Sequence, residues 1–158
     1  MIPFKTIRST IVRNLASHLG LKLVEMSGGG DIPKTAFLTY DISDIEPLTP
    51  TAREVRGSTD HYRTGTGFTV TFMSYADDKA TSTENAMRAQ DWFKTFGYQT
   101  LKDVDVIVYE MTPVSNRDVL IGDEWERRQG FDIEFRTQSL AEMPLIEWIE
   151  QTKLTRSE

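Results

Sequence analysis

The sequence predicts an α+β fold: a mixed, largely antiparallel β-sheet flanked by helices. Apolar residues recur at helical spacing in some segments and alternate with polar residues in others. No internal repeat or long linker divides the 158 residues, a length that suits one domain with its own core. We therefore expect residues 1–158 to form a single domain, with elements in the order α-β-β-β-α-β-β-α.

Segments with a period near 3.6 residues are predicted as amphipathic helices. In the first of them, Phe4, Ile7 and Ile11 fall on one side of the helix. We expect the second helix to stop at Gly97, because glycine is common just past a helix end. The predicted helices cover residues 3–19, 82–96 and about 144–153.

Segments with a period of two residues are predicted as strands. The clearest signal comes late in the chain, where Phe131, Ile133 and Phe135 alternate with charged residues. The predicted strands cover residues 21–26, 36–45, 67–75, 104–111 and 125–137. Strands with one polar face suit an antiparallel sheet that helices cover on one side. That leaves the other face, or the sheet edges, for contact with another molecule.

Three polar segments connect these elements. Residues 27–31 contain three consecutive glycines and are predicted as a flexible loop. Residues 51–65 show no clear period and fit either a loop or the hydrated arm of a long hairpin. Residues 112–124 are predicted as a polar connection.

Composition excludes several classes of protein. The chain has no cysteine, which rules out a disulfide scaffold, a thiolate metal site and a cysteine nucleophile. Its net charge of −6 argues against tight, sequence-independent binding of nucleic acid, which requires a surplus of lysine and arginine. Basic residues interrupt the first apolar positions, and no apolar run approaches the roughly 20 residues of a membrane span. We expect no export signal and no membrane partner.

The glycine-rich motifs do not predict a nucleotide cofactor. A phosphate loop needs glycine directly before its Lys-Thr pair, but Pro33 precedes Lys34 and Thr35 and has no amide to offer. A strand, not a helix, is predicted to follow. The pair Gly65 and Gly67 precedes a strand, whereas a dinucleotide fingerprint must follow one.

No constellation of residues predicts catalysis or a metal centre. His18 and His61 lack the further ligands that zinc or iron sites need, and no activated serine accompanies them. The many carboxylates could bind Mg²⁺ or act as acids and bases, but their spacing better fits a solvated face. We expect no cofactor, no metal and no enzyme activity. A small ligand-binding domain or an enzyme without a local motif remains the alternative.

Aromatic and arginine residues in the polar-faced regions are candidates for an interface between protein chains, where both types are enriched. The aromatics could equally be ordinary core residues, and the arginines could be solvated. The candidate interface residues are Arg53, Arg56, His61, Tyr62, Arg63, Trp125, Arg127 and Arg128.

The chain as a whole resembles the neck or tail terminator proteins of tailed bacteriophages. The resemblance lies in the first helix at residues 7–12, the strand at 36–40 and the late strand at 126–135. Its strongest part is the Arg-Arg-Gln-Gly-Phe-Asp run that starts at Arg127.

The resemblance implies a structural protein of the virion tail or neck, made in the host cytoplasm. Proteins of this kind form a ring, typically a hexamer, that caps the head-proximal end of the tail tube and docks to the head connector. Double-stranded DNA passes through the ring without specific binding. The implied partners are further copies of this chain, the tail-tube protein and a connector or stopper protein. Another head-tail joining protein or a tail-tube subunit is the alternative within the same particle.

Overall fold

The computed structural model describes residues 1–144, which form helices and strands in an α+β arrangement. The helices are α1 (Phe4–Leu19), α2 (Lys79–Lys94) and α3 (Phe96–Lys102). The strands are β1 (Lys22–Glu25), β2 (Phe37–Pro47), β3 (Ala52–Arg56), β4 (Thr59–Ala76), β5 (Ile107–Met111), β6 (Ser115–Asn116), β7 (Val119–Ile121) and β8 (Glu124–Pro144).

The sheet is built on two long central strands, β4 and β8. They pair antiparallel in unbroken register, from Thr59 opposite Pro144 to Ala76 opposite Arg127. The strand order is β1-β2-β4-β8-β5, and only the β1–β2 pair is parallel. This mostly antiparallel sheet confirms the fold class predicted from the sequence.

One face of the sheet carries the hydrophobic core. On β4, Phe68, Val70 and Phe72 are buried, and on β8 the alternate residues Phe131 to Phe135 lie beside them. The helices cover this face with buried side chains that join the same cluster: Ile7, Ile11, Leu15, Leu19, Ala86, Ala89, Trp92, Phe93 and Leu101. The opposite face of β4 and β8 is polar and half-buried, as the two-residue alternation predicts.

The central strands extend beyond the helix-covered core at both ends. At one end, β3, the start of β4 and the end of β8 form a three-stranded extension, here called the arm (residues 51–66 and 137–144). At the other end, β7 pairs with the start of β8 in a short ladder, here called the tip hairpin (residues 117–128). Each ends in a two-residue loop whose first residue is glycine with positive φ, 61° at Gly57 and 62° at Gly122. Such loops match the right-handed twist of hairpin strands.

The predicted helix over residues 82–96 is displaced and divided in the structure. It begins at Lys79, because Asp78 caps it by accepting hydrogen bonds from the Thr81 amide (2.8 Å) and hydroxyl (2.7 Å). The expected stop at Gly97 is wrong. The helical geometry breaks at Thr95 instead (φ −123°, ψ −98°), and α3 continues through Gly97.

The predicted strands differ from the observed ones mainly in length. The strand expected over 104–111 begins at Ile107, and the strand expected over 125–137 continues to Pro144. Residues 51–65 form the hairpin arm rather than a loop, and the connection 112–124 contains β6 and β7. Pro144 ends β8, and the rest of the last predicted helix lies outside the described residues.

Candidate interaction surfaces

The candidate interface residues separate into two groups at opposite ends of β8. The first group lies in the arm and consists of Arg53, Arg56, His61, Tyr62 and Arg63. The second lies in the tip hairpin and consists of Trp125, Arg127 and Arg128. The structure therefore offers two separate surfaces where the sequence predicted one set of contact residues.

A buried carboxylate anchors the helix-facing side of the arm. Arg53 donates to both carboxylate oxygens of Asp60, from Nε at 3.1 Å and from Nη2 at 2.7 Å. Only 4% of the Asp60 side chain is exposed, against 52% for Arg53. The hydrogen bonds and charge of Asp60 raise the pKa of Arg53 above its usual range. This bidentate pair holds β3 against β4, so the Arg53 guanidinium already has a partner in its own chain.

The other side of the arm carries a row of charges across three strands. Glu54 lies opposite His61, and His61 lies opposite Glu142, with 3.2 Å between His61 Nδ1 and the Glu142 carboxylate. Arg56 contacts Glu54 at 2.9 Å, and its hydrogen bond lowers the pKa of that carboxyl. Glu54, Arg56 and Glu142 are each at least half exposed, so most of this row of charges meets solvent.

A second buried carboxylate holds the tip hairpin together. Asp118 accepts from Arg127 Nη1 at 2.9 Å and from the Arg128 amide at 2.8 Å, with 4% of its side chain exposed. Burial by itself raises the pKa of Asp118, but the bonds from Arg127 and Arg128 outweigh it and lower that pKa. Asp118 thus ties the entry of β7 to β8.

The tip hairpin exposes a dense set of apolar side chains. Exposed fractions are 38% for Val119, 54% for Leu120, 57% for Ile121 and 54% for Trp125. Leu120 lies opposite Trp125 in the ladder, and the Arg127 guanidinium stands 5.7 Å from the Trp125 ring. Exposed apolar clusters of this kind are candidate contact sites.

The polar face of the sheet has an ordered centre. Asp41, Thr71 and Asp132 lie side by side on β2, β4 and β8. Thr71 donates to Asp132 at 2.7 Å, and Arg117 reaches the same carboxylate at 3.2 Å. Glu134 extends this row of acids on β8. The centre of this face is therefore rich in carboxylates, and Arg117, Arg128 and Arg136 each lie within 3.9 Å of one.

The glycine-rich loop borders an open cleft of about 890 Å³. Ser27, Gly28, Gly30 and Asp31 line one side, and Trp125 and Arg127 of the tip hairpin line the other. Strand β2 follows the loop, so Lys34 and Thr35 do not open a helix and the phosphate-loop geometry is not formed. Within residues 1–144, no group of three or more His, Asp or Glu side chains could hold a metal ion.

Sequence reasoning missed two residues that shape these surfaces. Asp118 was one acid among many, and only the fold shows that it is buried beneath Arg127. Tyr109 stacks against Arg136, whose guanidinium carbon lies 3.2 Å from the ring centroid. A register shift between Val108 and Glu110 places Tyr109 there, and the sequence gives no signal for it.

Comparison with known families identifies the class of protein. The family model described as phage neck terminator protein matches residues 9–157, nearly the whole chain. The chain therefore belongs to the phage neck terminator family, as the resemblance implied. It is a structural protein of the phage tail or neck.

Two further findings accompany this assignment. No sequence among the curated proteins matches the chain. Across residues 1–144, none of the helices has the length and apolar character needed to cross a membrane.

Proposed function

We propose that this protein closes the head-proximal end of a phage tail as a ring of identical subunits and joins the tail tube to the head connector. The observation that carries the proposal is the family match over residues 9–157. Hexameric stoichiometry is the expectation that accompanies it. The protein acts by shape and self-association, without catalysis or a cofactor.

The two ends of the sheet support a joining role. The arm and the tip hairpin project beyond the helix-covered core and carry exposed apolar residues, among them Val55 (53%), Leu140 (50%) and Trp125 (54%). A β-extension of this size gains stability by packing against something else. Two such surfaces at opposite ends suit a subunit that contacts neighbours on either side.

Charge supports the passage of DNA through such a ring. The chain carries a net charge of −6, and the described polar face of the sheet includes Asp41, Asp132 and Glu134. A channel wall with this excess of acidic groups does not bind phosphates tightly, because tight binding requires an excess of basic groups. Double-stranded DNA then passes through the ring without being bound specifically.

Assembly in the presence of tail tubes tests the proposal. The full chain is purified, its native mass is measured by mass spectrometry, and it is mixed with polymerised tube protein of the same phage. Electron microscopy should show a single ring on one end of each tube, with tube growth halted. A chain that leaves tubes uncapped and growing contradicts the proposal.

The same images separate the alternative roles in the particle. A tube subunit polymerises by itself into long stacks, whereas a terminator stops at one ring. A stopper or adaptor binds the head connector and leaves free tubes unoccupied. Long stacks, or binding to connectors alone, would assign the chain to one of those roles instead.

A further inference from the structure

The tip hairpin exposes apolar side chains on both sides of its ladder. Leu120 and Trp125 form one cross-strand pair, while Val119 and Ile121 lie on the other side. All four are at least 38% exposed, and they lie beyond the buried cluster of the described chain. Exposed aromatic and aliphatic residues on a projecting hairpin are typical of the buried centre of a protein interface.

A hollow of about 710 Å³ lies near the opposite end of the sheet. Ile2 and Thr66 are its buried residues, and Phe4 and Ile45 are its half-exposed apolar walls. Lys5 is exposed at the rim. The volume falls within the roughly 300–1,000 Å³ that sites for compact ligands occupy.

The hairpin cannot reach the hollow of its own chain. Trp125 and Ser139, which lines the hollow, lie on the same strand β8. At roughly 3.3 Å per residue, about 45 Å of strand separates them. A contact between tip and hollow must therefore join two copies, and because it pairs different surfaces it can be repeated head to tail from one copy to the next. Repeated contacts of that kind close into a ring when the rotation allows.

The charges of the two surfaces are complementary. Asp123 and Glu124 are exposed at the turn of the hairpin, beside its apolar residues. Lys5 is the basic residue that lines the hollow. A rim charge of opposite sign steers the partner and fixes its orientation.

We propose that the tip hairpin of one protomer inserts Leu120 and Trp125 into the hollow formed by Ile2, Phe4 and Ile45 of the next copy, with Asp123 and Glu124 facing Lys5. This assignment rests on the proposed function in one respect, since it requires an assembly of identical subunits. It names the two surfaces that a head-to-tail ring would use.

Cysteine cross-linking tests the contact directly, because the chain has no cysteine of its own. Leu120→Cys labels the inserted side of the tip and Ile45→Cys labels the hollow. Under mild oxidation, a mixture of the two full-length variants should give a disulfide-linked dimer that neither variant gives alone. Ser58→Cys, in the exposed loop of the arm, should not cross-link to Leu120→Cys and serves as the matched control.

Two cross-linking patterns would overturn the proposal. Dimers of Leu120→Cys alone would show a tip-to-tip contact. An intramolecular bond in a chain with Ile45→Cys and Trp148→Cys would make the C-terminal residues the occupant of the hollow. The proposal would also be rejected if the chain formed oligomers without the mixed dimer. It would be rejected as well if the chain stayed monomeric at millimolar concentration and gave no mixed dimer.

Substitutions measure the strength of the contact. Trp125→Ala should weaken self-association by about thirtyfold or more, the loss typical of a central aromatic in an interface. Tyr98→Ala removes an aromatic of similar exposure (48%) on α3 and should leave association unchanged. Circular dichroism should show both variants folded. Equal effects of the two substitutions would contradict the proposal.

Charge reversal tests the orientation of the contact. Lys5→Glu, or Asp123→Lys with Glu124→Lys, should each weaken association by roughly two- to fivefold, the range of exposed ion pairs. The combined variant should recover most of that loss at low salt. A further loss in the combined variant would mean that these residues do not face each other.

Failure of this interface can be distinguished from failure of the proposed function. Rings that cap tubes without the tip–hollow cross-link would keep the terminator role and reject this interface. Cross-linked oligomers that leave tubes uncapped would keep the interface and reject the role.

Discussion

At the scale of single residues, Gly97 fixes the junction between α2 and α3. A Cβ placed on Gly97 would lie 2.6 Å from two ring carbons of Trp92, which is itself only 3% exposed. The ring packs edge-on against Phe93 and cannot move away without disturbing the core. Close packing against Trp92 therefore requires glycine at position 97. The break between α2 and α3 lies two residues earlier, at Thr95.

We predict that Gly97→Ala destabilises the protein by about 1–3 kcal/mol, the range for overpacked cores. Helix propensity alone predicts the opposite sign, a gain of about 1 kcal/mol, so the measurement separates the two effects. Urea unfolding at neutral pH gives the free energy.

Gly29→Ala is the matched control for this measurement. No heavy atom lies within 4 Å of a Cβ at Gly29, so this change should alter stability by less than about 1 kcal/mol. Equal stability of Gly97→Ala and the wild type would show that Trp92 moves freely.

At the scale of elements, the tip hairpin depends on one carboxylate. The pKa of Asp118 is lowered in the folded chain, because the bonds from Arg127 and Arg128 outweigh its burial. A group with a depressed folded pKa stabilises the structure above its unfolded pKa of about 3.9, and that contribution is lost as pH falls through the folded value. Acid should therefore loosen the hairpin.

We predict that the Arg128 amide, which donates to Asp118, reports this titration. In proton–nitrogen NMR spectra its shift should move with a midpoint below about 3.9. Asp118→Asn should abolish the transition and weaken the hairpin at neutral pH. Asp123→Asn, at the exposed turn, should leave the midpoint unchanged. A midpoint at or above the ordinary value would contradict the assigned hydrogen bonds.

The arm and the tip hairpin show what sequence patterns could and could not predict. The alternation of Phe131, Ile133 and Phe135 predicted the centre of β8, because one buried face imposes a two-residue period. That period fades where both faces meet solvent, so the sequence of residues 51–65 fits a loop as well as a hairpin. Gly57-Ser58 and Gly122-Asp123 are two-residue hairpin signals that would have located both turns.

Residue type alone selected the candidate interface residues, and it does not give the partners that they have within the chain. Arginine and aromatic residues in polar segments do lie on the projecting ends of the sheet. The sequence could not show that Arg53 is paired to a buried Asp60, since the partner is fixed by the register between β3 and β4. Whether these residues contact a neighbouring subunit stays a prediction.

At the scale of the whole molecule, we expect charge, rather than any single site, to determine whether the chain binds DNA. With a net charge of −6, the chain should bind a 30-base-pair duplex more weakly than about 10⁻⁴ M at 100 mM salt, the weak end of non-specific binding. A variant with Asp41, Glu110 and Glu134 replaced by lysine gains two charges at each position, which brings −6 to zero and makes the polar face basic. Fluorescence anisotropy should detect salt-dependent binding for that variant alone. Salt-dependent binding by the wild type would place basic side chains, not acidic ones, along the path of the DNA.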